Sequence, residues 1–371
     1  MTRLPVGGVE QQLARVLRAY DRSEVDPIVC SLSDPGEIGQ EIKAAGVPVI
    51  ALGRLGHRFS LAIARDLARI MREHEITVVR THQYHANMYG RIAARLAGVP
   101  CVVASVHNVY TRDRKFHRRL VNRFLARWSD RVVAVSEAVK ADIVRYDGLS
   151  PDWVSVIYNG VDCDVYAGVG RAEARRELGF GADEIVVGSA CRLHEQKGLA
   201  HLIDALAVLG KRGEKVTLAL AGDGPARDAL AMRARDAGVG DRVRFLGMRR
   251  DVPRVLAAID IFAMPSLWEG LGTSLIEAMA AGKPVVVSEI PPFREIVTHG
   301  RDGLIVPVGD AGALASAIGG LMLDPVRARA MGEEAARTAR ERFGIGTTVR
   351  AYTRLYREVL AARGYSLAGG G

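Results

Sequence analysis

Cysteine, aromatic side chains and long apolar runs are all scarce in this chain, and each shortage removes a class of protein. The four cysteines, Cys30, Cys101, Cys163 and Cys191, stand far apart and form no CxxC pair, so neither a disulfide framework nor a cysteine zinc site organises the fold. Three of them end or follow expected strands and read as small core fillers. No apolar run approaches the roughly 20 residues of a membrane span. Met1 is followed by Thr-Arg-Leu-Pro-Val-Gly-Gly rather than by an apolar segment, so no secretory signal is read and the chain is expected to stay in the cytoplasm. Aromatics are only 6% of the residues and form no stacking platform. Nucleic acid is therefore not expected as a partner, despite a formal net charge of +9.

Aliphatic residues, by contrast, are plentiful and regularly placed. Short β-branched runs near 27–32, 47–51, 76–80, 100–106, 131–135 and 153–157 alternate with amphipathic stretches near 9–19, 60–73, 86–97, 115–128 and 137–146. A second series of strands is read near 185–190, 215–221, 242–246, 260–263, 284–287 and 304–306. Such alternation builds parallel sheets covered by helices. The 371 residues suffice for two domains, and a composition shift over 159–184 marks their joint. The expected fold class is α/β, with two doubly wound Rossmann-like domains, 1–165 and 166–344, facing across a cleft. A terminal helix over 345–363, with Tyr352, Leu355, Tyr356 and Val359 on one side, is expected to pack back on the first domain. Ligands of such units bind beyond the carboxyl ends of the strands. One element is missing from the pattern. Gly7-Gly8-Val9-Glu10 reads as a glycine turn opening a helix, and a strand should precede it, yet only six residues with a proline among them do so.

The chemistry centres on residues 268–280, Trp-Glu-Gly-Leu-Gly-Thr-Ser-Leu-Ile-Glu-Ala-Met-Ala, a glycine loop running into a helix. Gly270 and Gly272 permit close backbone approach, and the amides of Leu271, Gly272, Thr273 and Ser274 carry the positive end of the helix dipole. That arrangement suits a phosphate. The carboxylates of Glu269 and of Glu277, placed in the first turn, only accept hydrogen bonds and suit hydroxyls. A structural alternative stands beside this one: Ser274 and Glu277 have capping-box spacing, and Glu269 reads equally as a solvated loop acid.

Arg192 and Lys197 flank a second loop at a strand end, where a guanidinium fork and an ammonium together neutralise a diphosphate, unless both are ordinary surface cations. Leu246-Gly247-Met248-Arg249 follows another strand and offers a place for a base. Gly7, His82, Tyr84 and His107 lie by the glycine turn or at strand ends of the first domain, on the expected acceptor side. His82 and His85 can share a helix face, but no carboxylate or cysteine stands near to complete a metal site. Asp162-Cys163-Asp164 is read as a turn. Residues 101–131 hold eight Lys/Arg and two Asp, a local net of eight minus two, or +6. Within them 111–131 reads as a basic amphipathic helix whose apolar stripe repeats through Phe116, Leu120, Phe124 and Trp128. Its arginine face suits either anionic lipid headgroups or plain solvent.

Taken together these motifs resemble the retaining glycosyltransferases of family 4, which have the GT-B fold. The matching pieces are Gly7-Gly8-Val9-Glu10, Val135-Ser136-Glu137, Tyr158-Asn159-Gly160-Val161-Asp162, Arg192 with Lys197-Gly198, Pro265-Ser266, Glu269 to Glu277, and Asp302-Gly303-Leu304-Ile305-Val306 with Asp310. The resemblance implies a nucleoside-diphosphate sugar, a UDP- or GDP-sugar, in the second domain. It assigns the diphosphate to Arg192 and Lys197, the ribose to Glu277, and the sugar and distal phosphate to Glu269 with Gly270, Leu271, Gly272 and Thr273. Gly8 would lie by the phosphate and His107 by the sugar and acceptor. It further implies transfer to a glycan or lipid-linked acceptor with retention and without a metal or other cofactor, by same-face attack in which the leaving phosphate takes the acceptor proton. Glu269 then binds and stabilises charge rather than acting as a nucleophile. Two other functions fit the same motifs, a sugar-nucleotide epimerase and a nucleotide-sugar binder without activity.

Overall fold

The computed structural model describes residues 1–54, 59–109 and 116–367, with side chains of the helix at 116–126 given from Arg119 onward. Arg112, Arg114, Lys115, the Arg118 side chain and the tail 368–371 lie outside the described residues. The chain forms two compact units, Met1–Gly160 with Ile345–Gly371, and Val161–Gly344. Unit 1 opens with α1 (Gly8–Ala19), β1 (Val29–Ser31), α2 (Gly36–Ala44), β2 (Val49–Ala51), α3 (Leu61–Glu73) and β3 (Val78–His82). It continues with α4 (Tyr84–Ala97), β4 (Cys101–Val106), α5 (Phe116–Ala126), β5 (Arg131–Ala134), α6 (Glu137–Asp147) and β6 (Val154–Val156). Unit 2 holds α7 (Arg171–Leu178), β7 (Val186–Ala190), α8 (Leu199–Lys211), β8 (Thr217–Ala221), α9 (Arg227–Asp236), β9 (Val243–Gly247), α10 (Val252–Ala258) and β10 (Ile261–Met264). After these come α11 (Thr273–Ala280), β11 (Val285–Ser288), α12 (Pro291–Ile296), β12 (Leu304–Val306), α13 (Ala311–Leu323) and α14 (Pro325–Phe343), before α15 (Ile345–Ala361) returns to unit 1.

In unit 1 the strands β3-β4-β5-β6 form a parallel sheet in sequence order, whereas β1 and β2 pair only with each other. Every residue of β4, Cys-Val-Val-Ala-Ser-Val, is buried, as expected of a parallel strand covered on both faces. Helix α15 buries Tyr352, Leu355, Tyr356, Val359 and Leu360 in the same core as Leu13, Val16 and Leu17 of α1, an i, i+3, i+4, i+7 pattern turned inward. Arg80 of β3, half-buried, lies 3.5 Å over the Tyr352 ring and donates to the Ser105 hydroxyl at 3.2 Å, so its cation meets a π face rather than a carboxylate.

The basic helix α5 differs from expectation. Among its described side chains Leu125 and Ala126 are buried, while Leu120 and Phe124 are 52% and 55% exposed. Of the every-fourth stripe Leu120 and Phe124 thus face outward, Trp128 is half-buried just beyond the helix end, and the Phe116 side chain lies outside the described residues, as do 111–115; periodicity identifies an apolar side without saying what covers it.

Unit 2 has one continuous parallel sheet in the order β12-β11-β10-β7-β8-β9, the doubly wound order in which the chain reverses direction beside its first strand. The reversal makes β10 the neighbour of β7, with Ile261 opposite Val187 and Phe262 opposite Gly188. Asp260 fixes this alignment at the amino end, where its carboxylate accepts the Val186 N–H at 2.9 Å and a bond from the buried Arg175 at 2.6 Å. No helix among the described residues is long and apolar enough to cross a membrane.

Candidate active site

Because β7 and β10 are neighbours, the loops that leave their carboxyl ends lie side by side although 72 positions separate Gln196 from Trp268. Gly198 adopts φ +62°, and a Cβ there would stand 2.0 Å from the Pro265 carbonyl oxygen, so only glycine lets the first loop touch the second. Two hydrogen bonds join them: Leu267 N–H donates to Gln196 O at 2.8 Å, and Gln196 Nε2 donates to Trp268 O at 2.9 Å. His194 caps the short turn at 195–197 by accepting the Gln196 N–H at 3.1 Å.

This contact delivers Lys197 onto Glu269. Nζ and Oε1 are 2.6 Å apart, with the side chains 17% and 7% exposed. The same Oε1 accepts from the fully buried Ser266 hydroxyl at 2.9 Å, and Oε2 accepts from Gln196 Nε2 at 3.3 Å. Burial alone pulls the Lys197 pKa down, but the adjoining Glu269 carboxylate outweighs it and holds the ammonium above its usual value. Lys197 is therefore a fixed cation with donors to spare, since one of its three N–H bonds is committed to Glu269. Glu269 is the opposite of a solvated loop acid. It is buried, anchored at both oxygens, and oriented.

Helix α11 follows directly. Its N-cap is Gly272, at φ +93°, where a Cβ would come 2.6 Å from the Phe293 ring. No side chain caps this end, and the first turn's amides at Thr273 and Ser274 have no carbonyl four residues back within the helix. Gly270, Leu271 and Gly272 are buried beneath them, whereas Thr273 and Ser274 are half-buried. Glu277 corrects the sequence reading. It is the fifth residue of the helix, in the second turn rather than the first, and 7% exposed. Ser274 is likewise inside the helix, with its hydroxyl toward Met264 Sδ at 3.7 Å, so the capping-box spacing forms no box.

The remaining candidates of unit 2 divide. Arg192, beside the half-buried Cys191, is exposed. Cys191 senses the charges of both Lys197 and Glu269, which places the Arg192 backbone near the pair while its guanidinium stays in solvent. Arg249 is committed to Asp251 through two bonds of 2.9 and 2.6 Å. Asp310 caps α13 through the Ala313 N–H at 2.8 Å, and Asp302 accepts from the Thr298 N–H and the Thr338 hydroxyl at 2.7 and 2.8 Å. Asp162 accepts the Asp164 N–H at 3.2 Å, which is the turn expected. Among the described residues no group of three or more His, Cys, Asp or Glu side chains is placed to hold a metal ion.

In unit 1, β3 and β4 run parallel and end together, so His82 and His107 meet: Nδ1 of the first is 2.8 Å from Nε2 of the second, with the rings stacked at 5.1 Å. Burial first, and the Arg80 charge second, push both pKa values down, that of His82 well below 6.5 and that of His107 to about 3. Both rings are neutral at pH 7. One proton is then shared between them and one N–H remains at an outer nitrogen, so the pair has one donor and one acceptor at its ends, His82 Nε2 and His107 Nδ1, neither of which has a partner among the described residues. His85 lies in α4 while His82 ends β3, so the two do not share a helix face. Tyr84 opens α4, edge-on to His85 at 5.4 Å. Gly7 is the N-cap of α1, and a Cβ on Gly8 would meet nothing within 4 Å, leaving its backbone open to a ligand.

Two residues, Gln196 and Gln83, were missed in the sequence, and Ser266 stood there only as part of Pro265-Ser266, without a role. Gln196 and Ser266 hold Glu269, and the signal for Gln196 was position alone, beside Lys197. Gln83, at φ +68°, accepts the Thr2 N–H at 3.1 Å and donates to Glu10, tying the double-glycine helix start to the end of β3. A positive φ on a non-glycine residue costs energy and marks an over-determined position. No sequence pattern signals it.

The chain is similar to known proteins over most of its length. The family model for glycosyl transferases group 1 matches residues 170–338, and that for glycosyltransferase family 4 matches residues 6–165. An alpha-maltose-1-phosphate synthase of Mycolicibacterium smegmatis is 30% identical over 81% of this chain and 83% of its own. A UDP-Gal:alpha-D-GlcNAc-diphosphoundecaprenol alpha-1,3-galactosyltransferase of Escherichia coli is 29% identical over 68% of each. Among solved structures, Anabaena HepE in complex with UDP and glucose superposes with a TM-score of 0.84 at 27% identity, covering 96% of this chain and 99% of that one.

Proposed function

The chain belongs to the group 1, family 4 glycosyltransferases of GT-B fold, and on that premise we propose that it moves a hexose from a nucleoside-diphosphate sugar, with retention and without a metal, to a glycan or lipid-linked acceptor. The observation that carries the proposal is the Lys197–Glu269 pair, held at 2.6 Å beside the uncapped start of α11. Lys197, neutralised in part by Glu269, donates its remaining N–H bonds to the diphosphate. Arg192, exposed beside the same loop, supplies a second cation, and the amides at Leu271, Gly272 and Thr273 supply the third element. Two cations and a helix start stabilise the departing diphosphate as its charge grows, which is the task a metal otherwise performs. Glu277 accepts from the ribose hydroxyls, and Glu269 accepts from the sugar. The relative from Anabaena is seen with UDP and glucose and with UDP-glucose, which favours a uridine donor over a guanosine one.

In the reaction the bond from the anomeric carbon to the phosphate oxygen breaks, the acceptor oxygen bonds to the same face of that carbon, and the acceptor proton passes to the leaving phosphate. Glu269, already bonded by Lys197, Ser266 and Gln196, is given a binding and charge-stabilising role rather than a nucleophilic one. Unit 1 supplies the acceptor side through Gly7, Gly8, His82, Tyr84 and His107, with the neutral histidine pair offering a hydrogen bond rather than a charge. The diphosphoundecaprenol in the name of the relative from Escherichia coli supports a lipid-linked acceptor, and α5 supports a place of work. Leu120, Arg123 and Phe124 are exposed on it at i, i+3 and i+4, with Arg127 exposed in the turn just beyond its end, an apolar and cationic surface suited to anionic headgroups at the cytoplasmic face of a membrane.

The donor assignment is tested by thermal unfolding in the presence of a panel of nucleoside-diphosphate sugars. Protection by UDP- or GDP-sugars is expected, undiminished by a chelator, and protection by none of them sinks the reading. Incubation with donor alone separates the alternatives, because an epimerase releases an altered sugar without acceptor. Flotation with anionic liposomes should weaken as salt rises and fall further in Phe124→Ser. An unbound protein at low salt retires the membrane role.

A further inference from the structure

The three groups that hold Glu269 differ in kind. Oε1 accepts from Lys197 Nζ at 2.6 Å and from the Ser266 hydroxyl at 2.9 Å, while Oε2 accepts from Gln196 Nε2 at 3.3 Å. Lys197 is a point charge on a flexible stem, and a diphosphate competes for it. Ser266 and Gln196 are neutral, and their donor hydrogens are already spent. The single hydroxyl hydrogen of Ser266 goes to Glu269. The two hydrogens of Gln196 Nε2 go to Glu269 and, at 2.9 Å, to Trp268 O. That carbonyl only accepts, so it also fixes which end of the Gln196 amide is nitrogen.

The acceptor side can be counted in the same way. An ionised carboxylate has about four lone-pair sites, two on each oxygen. Lys197 and Ser266 fill Oε1, and Gln196 takes one site of Oε2, so a single site on Oε2 stays open to a ligand. The backbone beneath is secured by other bonds. Leu267 N–H donates to Gln196 O at 2.8 Å, and Ser266 O accepts from the buried Ser288 hydroxyl. Removing the Gln196 amide or the Ser266 hydroxyl therefore lets the carboxylate turn without parting the two loops.

We propose that Gln196 and Ser266 are positioning residues of the transfer reaction, which keep Glu269 aimed when Lys197 turns to the diphosphate and leave it one acceptor site, so that it reads a single hydroxyl of the donor sugar. The inference rests on the donor-site reading given above. A carboxylate held by Lys197 alone would swing each time a diphosphate drew the ammonium away. The hydroxyl and the amide have no such rival, and they hold Glu269 in the same place whether the site is empty or loaded. The nucleotide half of the donor does not sense these two residues, whereas the sugar half does.

The test takes the nucleoside-diphosphate sugar that best protects the full chain from thermal unfolding, together with the same nucleoside diphosphate lacking the sugar, and measures both affinities by calorimetric titration. Gln196→Met and Ser266→Ala are each expected to reduce the advantage of the sugar conjugate over the bare diphosphate about fivefold, the weight of one hydrogen bond. Loosening of the loops alone would weaken both ligands alike and leave their ratio in place. Among donor analogues that each lack one sugar hydroxyl, a single one should make Gln196→Met silent, because the bond that Gln196 aims is then already gone. A loss shared equally by both ligands, an unchanged ratio in both variants, or silence with two different analogues overturns the proposal. An unsubstituted chain that binds no nucleoside-diphosphate sugar overturns the transferase reading and this inference with it, so the two failures are told apart.

Discussion

Unit 2 and unit 1 are built from the same alternation of strand and helix, yet only unit 2 has an unbroken sheet. In unit 2, β7 occupies the middle, and the loops after it and after β10 are pressed together at the point where strand order reverses. The charged pair Lys197–Glu269 is the product of that adjacency. In unit 1 the corresponding middle is a cavity, and its polar groups are held by other means: Gln83 reaches across to Glu10 and Thr2, and Arg80 rests on Tyr352 of a helix from the far end of the chain. A continuous sheet positions a site by register, whereas a split one relies on individual side chains. The charge state differs as well. Unit 2 keeps a fixed cation beside a carboxylate, and unit 1 keeps two histidines neutral.

The sharpest way to break this comparison is Lys197→Ala. It strands the buried Glu269 and removes a diphosphate ligand, so nucleotide affinity should fall by at least ~1.5 kcal/mol and stability by ~3 kcal/mol, read by calorimetric titration and urea unfolding. Intact affinity would detach the pair from the site. Arg192→Ala should weaken nucleotide binding by a similar ~1.5 kcal/mol while leaving the melting temperature in place, because the exposed guanidinium supports no packing. A large loss of stability there would show that it is structural. Glu277→Gln should cost about 1 kcal/mol of donor affinity, the scale of one ordinary hydrogen bond, with a smaller effect on nucleoside-free phosphate compounds. If both ligands weaken equally, Glu277 does not read the ribose.

A separate effect belongs to unit 1 and concerns pH. His82 and His107 have folded pKa values below the unfolded value of about 6.5, so the unfolded chain takes up protons first as pH falls. Their contribution to stability is complete above about 6.5 and is lost progressively down to about 3, the value of His107. His107→Gln should therefore shrink the difference between urea midpoints measured at pH 7.5 and pH 4.5. An unchanged difference would mean that the pair is not buried neutral in solution.

Most strands were legible because a β-branched run of four to six residues between glycines has few other uses, and parallel pairing follows from the helices between them. Gly272 was legible as a place of close approach, though not what it approaches, since Phe293 comes from another segment; the close approach of Gly198 to Pro265 O was not read at all. The start of α11 was misjudged by a few residues, which moved Glu277 from the first turn to the second. A left-handed Gly272 wedged against Phe293, rather than a capping side chain, sets that start. Likewise the apolar stripe of α5 was visible in the sequence but its partner was not, so an exposed face was taken for one of two possibilities.

What the sequence determined by itself is therefore the kind of element at each place, the alternation that makes both units α/β, and the residue types able to grip a phosphate. Those follow from local conformational preference and periodicity, which act over a few residues. Only the tertiary structure decided that Lys197 meets Glu269, that His82 meets His107, that Arg192 stays in solvent, and that a gap separates β1 from β3. Each of these is set by which strands become neighbours, a choice made by hydrogen-bonded register between segments tens of residues apart.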